Sequence, residues 1–399
     1  MTKILVVTPR FPYPETGACE QDRAEGIRQL QRLGYETRVI GKVFDWQDKQ
    51  AIGRYWQAQG VPVRLIDYRD HRLGAGGEIK KLLFGLLQPR FLDGAAFEYR
   101  DPNIIRALKD ELQEFRPDLV WFDYTYLWPL YKIVKQAGLP IITRSINVEA
   151  RHFLAEDGRS LKNYARSIPK FWTERITARV SDLVFSINPE EREYYKKLGA
   201  KAANLPLRAL PKKLGTHTPS PTDQLQVFFS GSTYNVSHNR RALEFIIKEV
   251  APEMKRRQGH NFIFHLTGTK FPEEWRGYLS ATVRLASQPT AYEEFLRKMD
   301  IALAPSFFGA GMQQKIFEPL ARGFPTITHA RGLAGYDFAP DKEVLVADGR
   351  ESFCQTLESL RSFERRQELS VNAKHKSQEL FSQNILDKIV REGIELALM

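Results

Sequence analysis

The stretch from Asp300 to Tyr336, DIALAPSFFGAGMQQKIFEPLARGFPTITHARGLAGY, restricts what this chain can fold into more than any other. Ile301 to Ala304 is a short apolar run closed by Pro305, which suits a strand buried on both faces. Gly309 and Gly311 follow. Apolar residues then recur at helical spacing, at Ile316, Phe317, Leu320 and Ala321, until Gly323 and Pro325 stop them. The order is strand, glycine turn, helix, strand, as in a parallel α/β sheet.

That order also makes a chemical site. The first turn of a helix carries unpaired N–H groups and a partial positive charge, so a glycine turn leading into it can receive a phosphate. Lys315, early in the helix, adds a full charge. Glu318 follows three residues on, so a cation and a carboxylate are expected to project together. A nucleoside diphosphate uses both, the cation for phosphate and the carboxylate for ribose hydroxyls. A Lys and Glu at this spacing are also an ordinary solvated pair. The second glycine loop, Gly332-Leu333-Ala334-Gly335, weighs toward a ligand.

The stretch resembles the donor-site signature of glycosyltransferases of the GT-B fold, in particular the retaining enzymes of family 4. Gly-x-Gly, the Lys, the Glu three residues on, Gly-x-Pro and a second Gly-Leu loop all stand in the matching places. The resemblance implies an α/β chain of two facing Rossmann-like doubly wound domains with a cleft between them. It implies transfer of a sugar from a nucleotide-sugar to a glycan, lipid-linked or other cell-envelope acceptor, with retention. Glu318 would meet the ribose, and Lys315 with Gly309, Gly311, Met312 and Gln313 the diphosphate. Glu318, Lys315 and Asn147 are the catalytic candidates. Many relatives carry a second glutamate eight positions before Glu318, where this chain has Ala310. That departure bears on the contact to the transferred sugar.

Composition sets the remaining bounds. With 399 residues, 42% of them hydrophobic, the chain can form two domains, each with its own core. The two cysteines, Cys19 and Cys354, give neither a disulfide framework nor a metal spacing, and a reducing compartment fits. Met1 to Thr8, MTKILVVT, is too short for a signal or membrane span and reads as a first strand. A cytoplasmic protein, soluble or peripheral to a membrane, is expected. The net charge of +11 is spread over both halves and favours anionic partners without choosing among them. No zinc-finger spacing or RNA-binding signature is present, so nucleic acid is not an expected partner. No Asp-x-Asp occurs, so no metal or other cofactor is expected.

Taken in order, the first half alternates strand and helix. The loop between the first strand and the helix Gln21 to Leu33 holds Gly17, either a ligand-loop glycine or a plain turn residue. Asp123 lies just past the strand Leu119 to Phe122, at the expected ligand crevice. Arg144 to Glu149, RSINVE, resembles the family's Ser-His-Asn-x-Glu with Ile146 in place of the histidine. Asn147 and Glu149 match and join Gly17 and Asp123 as acceptor or cleft residues. His152 is either a substitute for that histidine or a structural residue.

Residues 158–180, GRSLKNYARSIPKFWTERITARV, repeat Arg159, Lys162, Arg166 and Lys170 at steps of three or four. Leu161, Tyr164, Ile168, Phe171 and Trp172 repeat beside them, and Pro169 is expected to kink or divide the helix. The segment reads either as a contact with an anionic membrane or as a domain helix with a solvated basic face. Lys80 to Phe84, KKLLF, is a second basic-apolar site open to the same two readings.

The domain plan follows from these breaks. Residues 1–207 form an N-terminal acceptor-side domain, the proline-rich 208–224 a linker, and 225–383 the donor domain, with helix 384–399 packing back on the first domain. In the donor domain Val227 to Ser232 is a strand entering a Gly-Ser turn, and Asn239 is expected to cap the helix after it. The resemblance adds Gly231 and Ser232 to the donor-binding set. The alternatives are a nucleotide-sugar epimerase on the same fold and an inactive nucleotide- or sugar-binding module.

Overall fold

The structure, a computed structural model, describes residues 1–15, 17–68, 84–85, 87–286 and 292–399. Of the KKLLF site, 80–83 lie outside the described residues. Two parallel sheets organise the chain. The first contains β1 (Lys3–Thr8), β2 (Glu36–Phe44), β3 (Val63–Tyr68), β4 (Leu119–Phe122), β5 (Ile141–Ser145), β6 (Leu183–Ser186) and β7 (Ala202–Asn204). The second contains β8 (Leu225–Thr233), β9 (Phe262–Thr269), β10 (Val283–Leu285), β11 (Ile301–Leu303), β12 (Thr326–Thr328) and β13 (Leu345–Val346).

The strand orders are β3-β2-β1-β4-β5-β6-β7 and β10-β9-β8-β11-β12-β13. Each sheet starts in its middle, winds one way, returns past its first strand and winds the other way. This is the doubly wound plan, and it makes a topological switch point between β1 and β4 and another between β8 and β11. Loops leaving the carboxyl ends of strands at a switch point are where such sheets bind ligands. The strands read as buried runs because helices cover both faces. LVWF of β4 and LVFS of β6 are buried throughout. In β8, Val227 and Phe229 join one core layer while Phe228 joins another, as the period of two requires.

The chain divides into two compact units: 1–154 with 158–208 and 386–399, and 155–157 with 209–385. In the first, Leu386, Val390 and Ile394 of the helix Gln383–Leu398 pack in one core with Ile4, Trp121 and Phe185. Gly393 permits that approach, since a Cβ there would stand 2.3 Å from the Phe185 ring. In the second, the proline-rich residues after Ala209 are laid against the unit they precede. Gly215 and His217 donate backbone hydrogen bonds to the carbonyls of Ala321 and Arg322, both at 2.9 Å. The His217 ring stacks on Phe324 at 3.7 Å, and burial pushes its imidazole down to about 3.

Two local expectations are corrected. The helix around Asn239 begins at Ser237, so Asn239 is within its first turn and is not its cap. Leu161–Val180 is one helix that runs through Pro169 undivided. The carbonyl that Pro169 leaves without an intrahelical partner belongs to Ala165, an exposed residue whose backbone water can serve. Among the described residues no helix is long and apolar enough to cross a membrane.

Candidate functional site

At the switch point of the second sheet, β11 leads through a loop into the helix Gln314–Arg322. Gly309 and Gly311 adopt positive φ of 112° and 72°, which L side chains rarely do, so glycine is needed for the reversal. Gln313 folds back over the loop and donates from Nε2 to Ser306 Oγ at 3.1 Å and to the Phe308 carbonyl at 3.4 Å. Arg331 donates to the Gly309 carbonyl at 2.8 Å. Met312 is buried beside them. The helix opens without a side-chain cap and without an acidic residue in its first turn. Its positive end is therefore not neutralised locally.

Lys315 is 9% exposed, and its Nζ donates to Oδ1 of Asn239 at 3.0 Å. Among the described residues it forms no ion pair. An amide oxygen carries no charge, and burial pushes the amine down to about 7 although the Glu156 carboxylate favours its charged form. Asn239 is itself oriented by hydrogen bonds from Nδ2 to the Thr233 carbonyl at 3.2 Å and to Ser232 Oγ at 3.3 Å. The sequence offered Asn239 as a cap and, by resemblance, as part of a Gly-Ser…Tyr…Asn arrangement with Gly231, Ser232 and Tyr234, but not as the partner of Lys315. Gly231, in the same turn, has no room for a side chain: a Cβ would stand 2.7 Å from the Tyr234 ring.

Glu318 points elsewhere, and the expected pairing with Lys315 is not made. Its Oε1 accepts from Nε and Nη2 of Arg322 at 2.9 and 2.8 Å, and its Oε2 from Gln314 Nε2 at 2.6 Å. Arg322 also donates to both oxygens of Glu293, at 2.8 and 2.6 Å, and to Thr216 Oγ1 at 2.9 Å. The arginine donates in several directions at once, which a lysine could not match. Hydrogen bonds from Arg322 hold the Glu293 carboxyl down to about 2. Arg322 sits four residues after Glu318, a readable helical spacing. Glu293 and Thr216 come from distant segments and carried no sequence signal.

The first unit places its candidates around its own switch point. Gly17 is the residue before the helix Ala18–Arg32, in extended conformation. Asp123 follows β4 but is enclosed, its Oδ1 accepting from Trp121 Nε1 at 3.0 Å and from Arg208 at 3.4 Å. Behind it lies a buried ion network absent from the sequence reading. Asp22 accepts from the Arg208 backbone N–H at 2.8 Å, from Arg208 Nη2 at 2.9 Å and from Arg144 at 3.4 Å. Despite the cost of burial, the two guanidinium groups hold Asp22 well below the usual carboxylate range. Arg144 further donates to the carbonyls of Leu205, Pro206 and Ser186.

After β5 the backbone carbonyl of Asn147 accepts from Ser145 Oγ at 3.1 Å, and Ile146 is buried. Glu149 opens the next helix and accepts from the Tyr124 hydroxyl. Glu174 accepts from the Ala150 N–H at 2.9 Å and from the Tyr194 hydroxyl at 2.5 Å. His152 has a buried Nδ1 with no hydrogen-bond partner among the described residues. Gly17, Asp123, Asn147 and Glu149 thus all lie in the first unit. Gly231, Ser232, Gly309, Gly311, Met312, Gln313, Lys315 and Glu318 all lie in the second.

Comparison with known proteins agrees with this division. Residues 17–208 match the family model "Glycosyl transferase 4-like domain", and residues 224–362 match "Glycosyl transferases group 1". No curated protein sequence matches the chain. Among solved structures, it resembles a sucrose-phosphate synthase from Thermosynechococcus elongatus, with a TM-score of 0.70 at 14% identity over 99% of this chain and 98% of that one. It also resembles TarM of S. aureus in complex with fondaparinux, α-GlcNAc-glycerol and UDP (TM-score 0.67, 11% identity, 99% of each chain). A third is Anabaena HepE in complex with UDP (TM-score 0.64, 11% identity, 99% of this chain and 100% of that one). At such identities the likeness establishes the fold alone.

Proposed function

We propose, on the premise that this chain belongs to the glycosyltransferases of the GT-B fold, that it transfers a sugar from a nucleoside-diphosphate donor to a glycan or lipid-linked acceptor of the cell envelope, with retention. The acceptor is met at the cytoplasmic face of a membrane. The observation that carries the reading is Lys315, a buried amine held by a neutral amide beside an uncapped helix start. Such a group is costly to bury alone and gains most from an arriving anion. The turn Gly309–Gln313 and Lys315 receive the diphosphate, and Gly231 and Ser232 border it. Glu318 accepts a hydrogen bond from a ribose hydroxyl at Oε2, which keeps a lone pair beyond the one used by Gln314, while Oε1 is taken by two bonds from Arg322.

Chemically, the main task is to stabilise the negative charge that grows on the departing diphosphate, which a fixed cation and helix N–H groups do without reorganising. No metal is needed for this. Gly17, Asp123, Asn147 and Glu149 serve the acceptor side. UDP is the nucleotide to try first, because structures similar to this one were obtained with UDP.

The test is thermal stabilisation by UDP, GDP, ADP, dTDP and CMP, each in excess. A ligand at about 100 times its dissociation constant adds roughly 2.7 kcal/mol to the folded state. Stabilisation by one nucleotide that disappears in Lys315→Met supports the site; none with any of them removes it. Conversion of donor without an acceptor identifies an epimerase instead. Binding without turnover identifies an inactive module, the alternative raised by Ala310 and Ile146.

A further inference from the structure

The helix Leu161–Val180 is packed with its polarity reversed. Its inward residues are small or polar: Ser167, Thr173, Glu174, Thr177 and Ala178 are buried. Several of the polar ones are satisfied there, Glu174 by Ala150 and Tyr194, Thr177 by Tyr131 and Ser167 by the Tyr164 carbonyl. The large apolar residues point outward. Leu161 is 91% exposed, Ile168 52% and Trp172 43%, with Tyr164 and Phe171 beside them. At about 100° per residue these five fall within a stripe roughly 100° wide. An ordinary domain helix would turn this stripe into the core.

By the same step, Arg175 and Arg179 fall within the stripe and Lys162 to one side of it, while Arg166 and Lys170 stand on the far side, over the Phe153 ring. Arg159, Lys162, Arg166, Arg175 and Arg179 form no ion pair among the described residues, and Lys170 pairs with Asp93 at 3.3 Å. The one acidic residue of the helix, Glu174, is buried away from them. We propose that this face docks on an anionic membrane surface, aromatic and aliphatic side chains entering the headgroup boundary and the basic residues meeting lipid phosphates. Charge decides the occupant. A second copy placed face to face would set Arg175 and Arg179 against their own counterparts, whereas an anionic bilayer complements both the apolar stripe and its cations. The surface gives a physical basis to the reading of a membrane-borne acceptor, and its test uses neither donor nor acceptor.

The test is flotation of the full chain with phosphatidylcholine vesicles, with and without phosphatidylglycerol, at low and high salt. Two variants are compared, Ile168→Ser/Phe171→Ser/Trp172→Ser and Lys162→Ser/Arg175→Ser/Arg179→Ser. The wild type should float with the anionic vesicles only, and less at high salt. The apolar variant should lose binding. The basic variant should bind roughly a hundredfold more weakly, from about 1 kcal/mol per cation. Both should keep the wild-type melting temperature and nucleotide response, so failure here is separable from failure of the donor site. The proposal is overturned if the wild type ignores anionic vesicles at low salt, or if the apolar variant binds like wild type. It is overturned equally if the wild type sediments as a dimer that the apolar variant converts to monomer.

Discussion

Arg144 and Lys315 are both buried cations near the carboxyl edge of a parallel sheet, and they are neutralised in opposite ways. Arg144 in the first unit is closed off by the protein: three backbone carbonyls accept from it and the Asp22 carboxylate supplies a counter-charge. Lys315 in the second unit has no carboxylate at ion-pair distance among the described residues: its hydrogen bond goes to the amide of Asn239, and Glu156 favours its charge only from farther off. The first arrangement completes itself when the chain folds and fixes the segment that leaves β7. The second lacks a paired counter-charge, which the proposed diphosphate would supply. The same local plan is a closed clamp in one unit and, on the proposed reading, a receptor in the other, depending on where the counter-charge comes from.

That contrast can be tested, from the largest effect to the smallest. Asp22→Asn strips the counter-charge from Arg144 and leaves Arg208 only Asp123, and should cost about 3–5 kcal/mol in urea unfolding, as breaking a buried ion pair does. Little change would mean the clamp is not holding the unit. Lys315→Met should do the reverse, keeping the fold while weakening nucleotide binding by roughly a hundredfold, the scale of a lost hydrogen bond to a charged group. Calorimetric titration reads it, and a loss of stability comparable to that of Asp22→Asn would erase the distinction between clamp and receptor.

The titration of Lys315 sharpens the point. In the free protein its amine is pushed by burial to about 7, while a bound diphosphate favours the charged form. Binding therefore takes up a proton above pH 7. Nucleotide affinity should fall as pH rises past that value, by at most about tenfold per unit, and Lys315→Met should flatten the slope. The sign for folding is opposite. The unfolded chain holds more protons between about 7 and the ordinary lysine range, so this residue alone makes the unliganded fold more stable as pH rises through that window. Glu318→Gln keeps the hydrogen bonds from Arg322 only in part and should weaken nucleotide binding by about 1 kcal/mol. Smallest of all, a chelator should leave the transfer rate unchanged; a metal requirement would show that Lys315 and the helix start do not suffice for the diphosphate.

Much of the fold was legible because its signals are local. Apolar runs of four to six residues, glycine and proline stops and helical spacing mark the strands and helices one element at a time. The turn at Gly309 and Gly311 and the position of Lys315 in the helix after it belong to that class. What Lys315 and Glu318 touch does not. Their spacing suggested a shared face, but Lys315 reaches Asn239 and Glu318 reaches Arg322, because tertiary packing offered each a better partner than the other. Asn239 suggested a cap, since an Asn before a helical run is a common one. The helix began two residues earlier, and the side chain was free to hold a lysine 76 residues away.

The sequence by itself determined the α/β alternation, the glycine turns and the residue types that a nucleotide site needs, because each depends on neighbours a few positions apart. Only the tertiary structure decided which charges are complete. Asp22, Arg144 and Arg208 are spread over 187 residues of chain and meet only when the strands are in order. The outward stripe of Leu161, Ile168 and Trp172 needed the structure for the same reason: periodicity reveals that a helix has two faces, and only packing shows which one is buried.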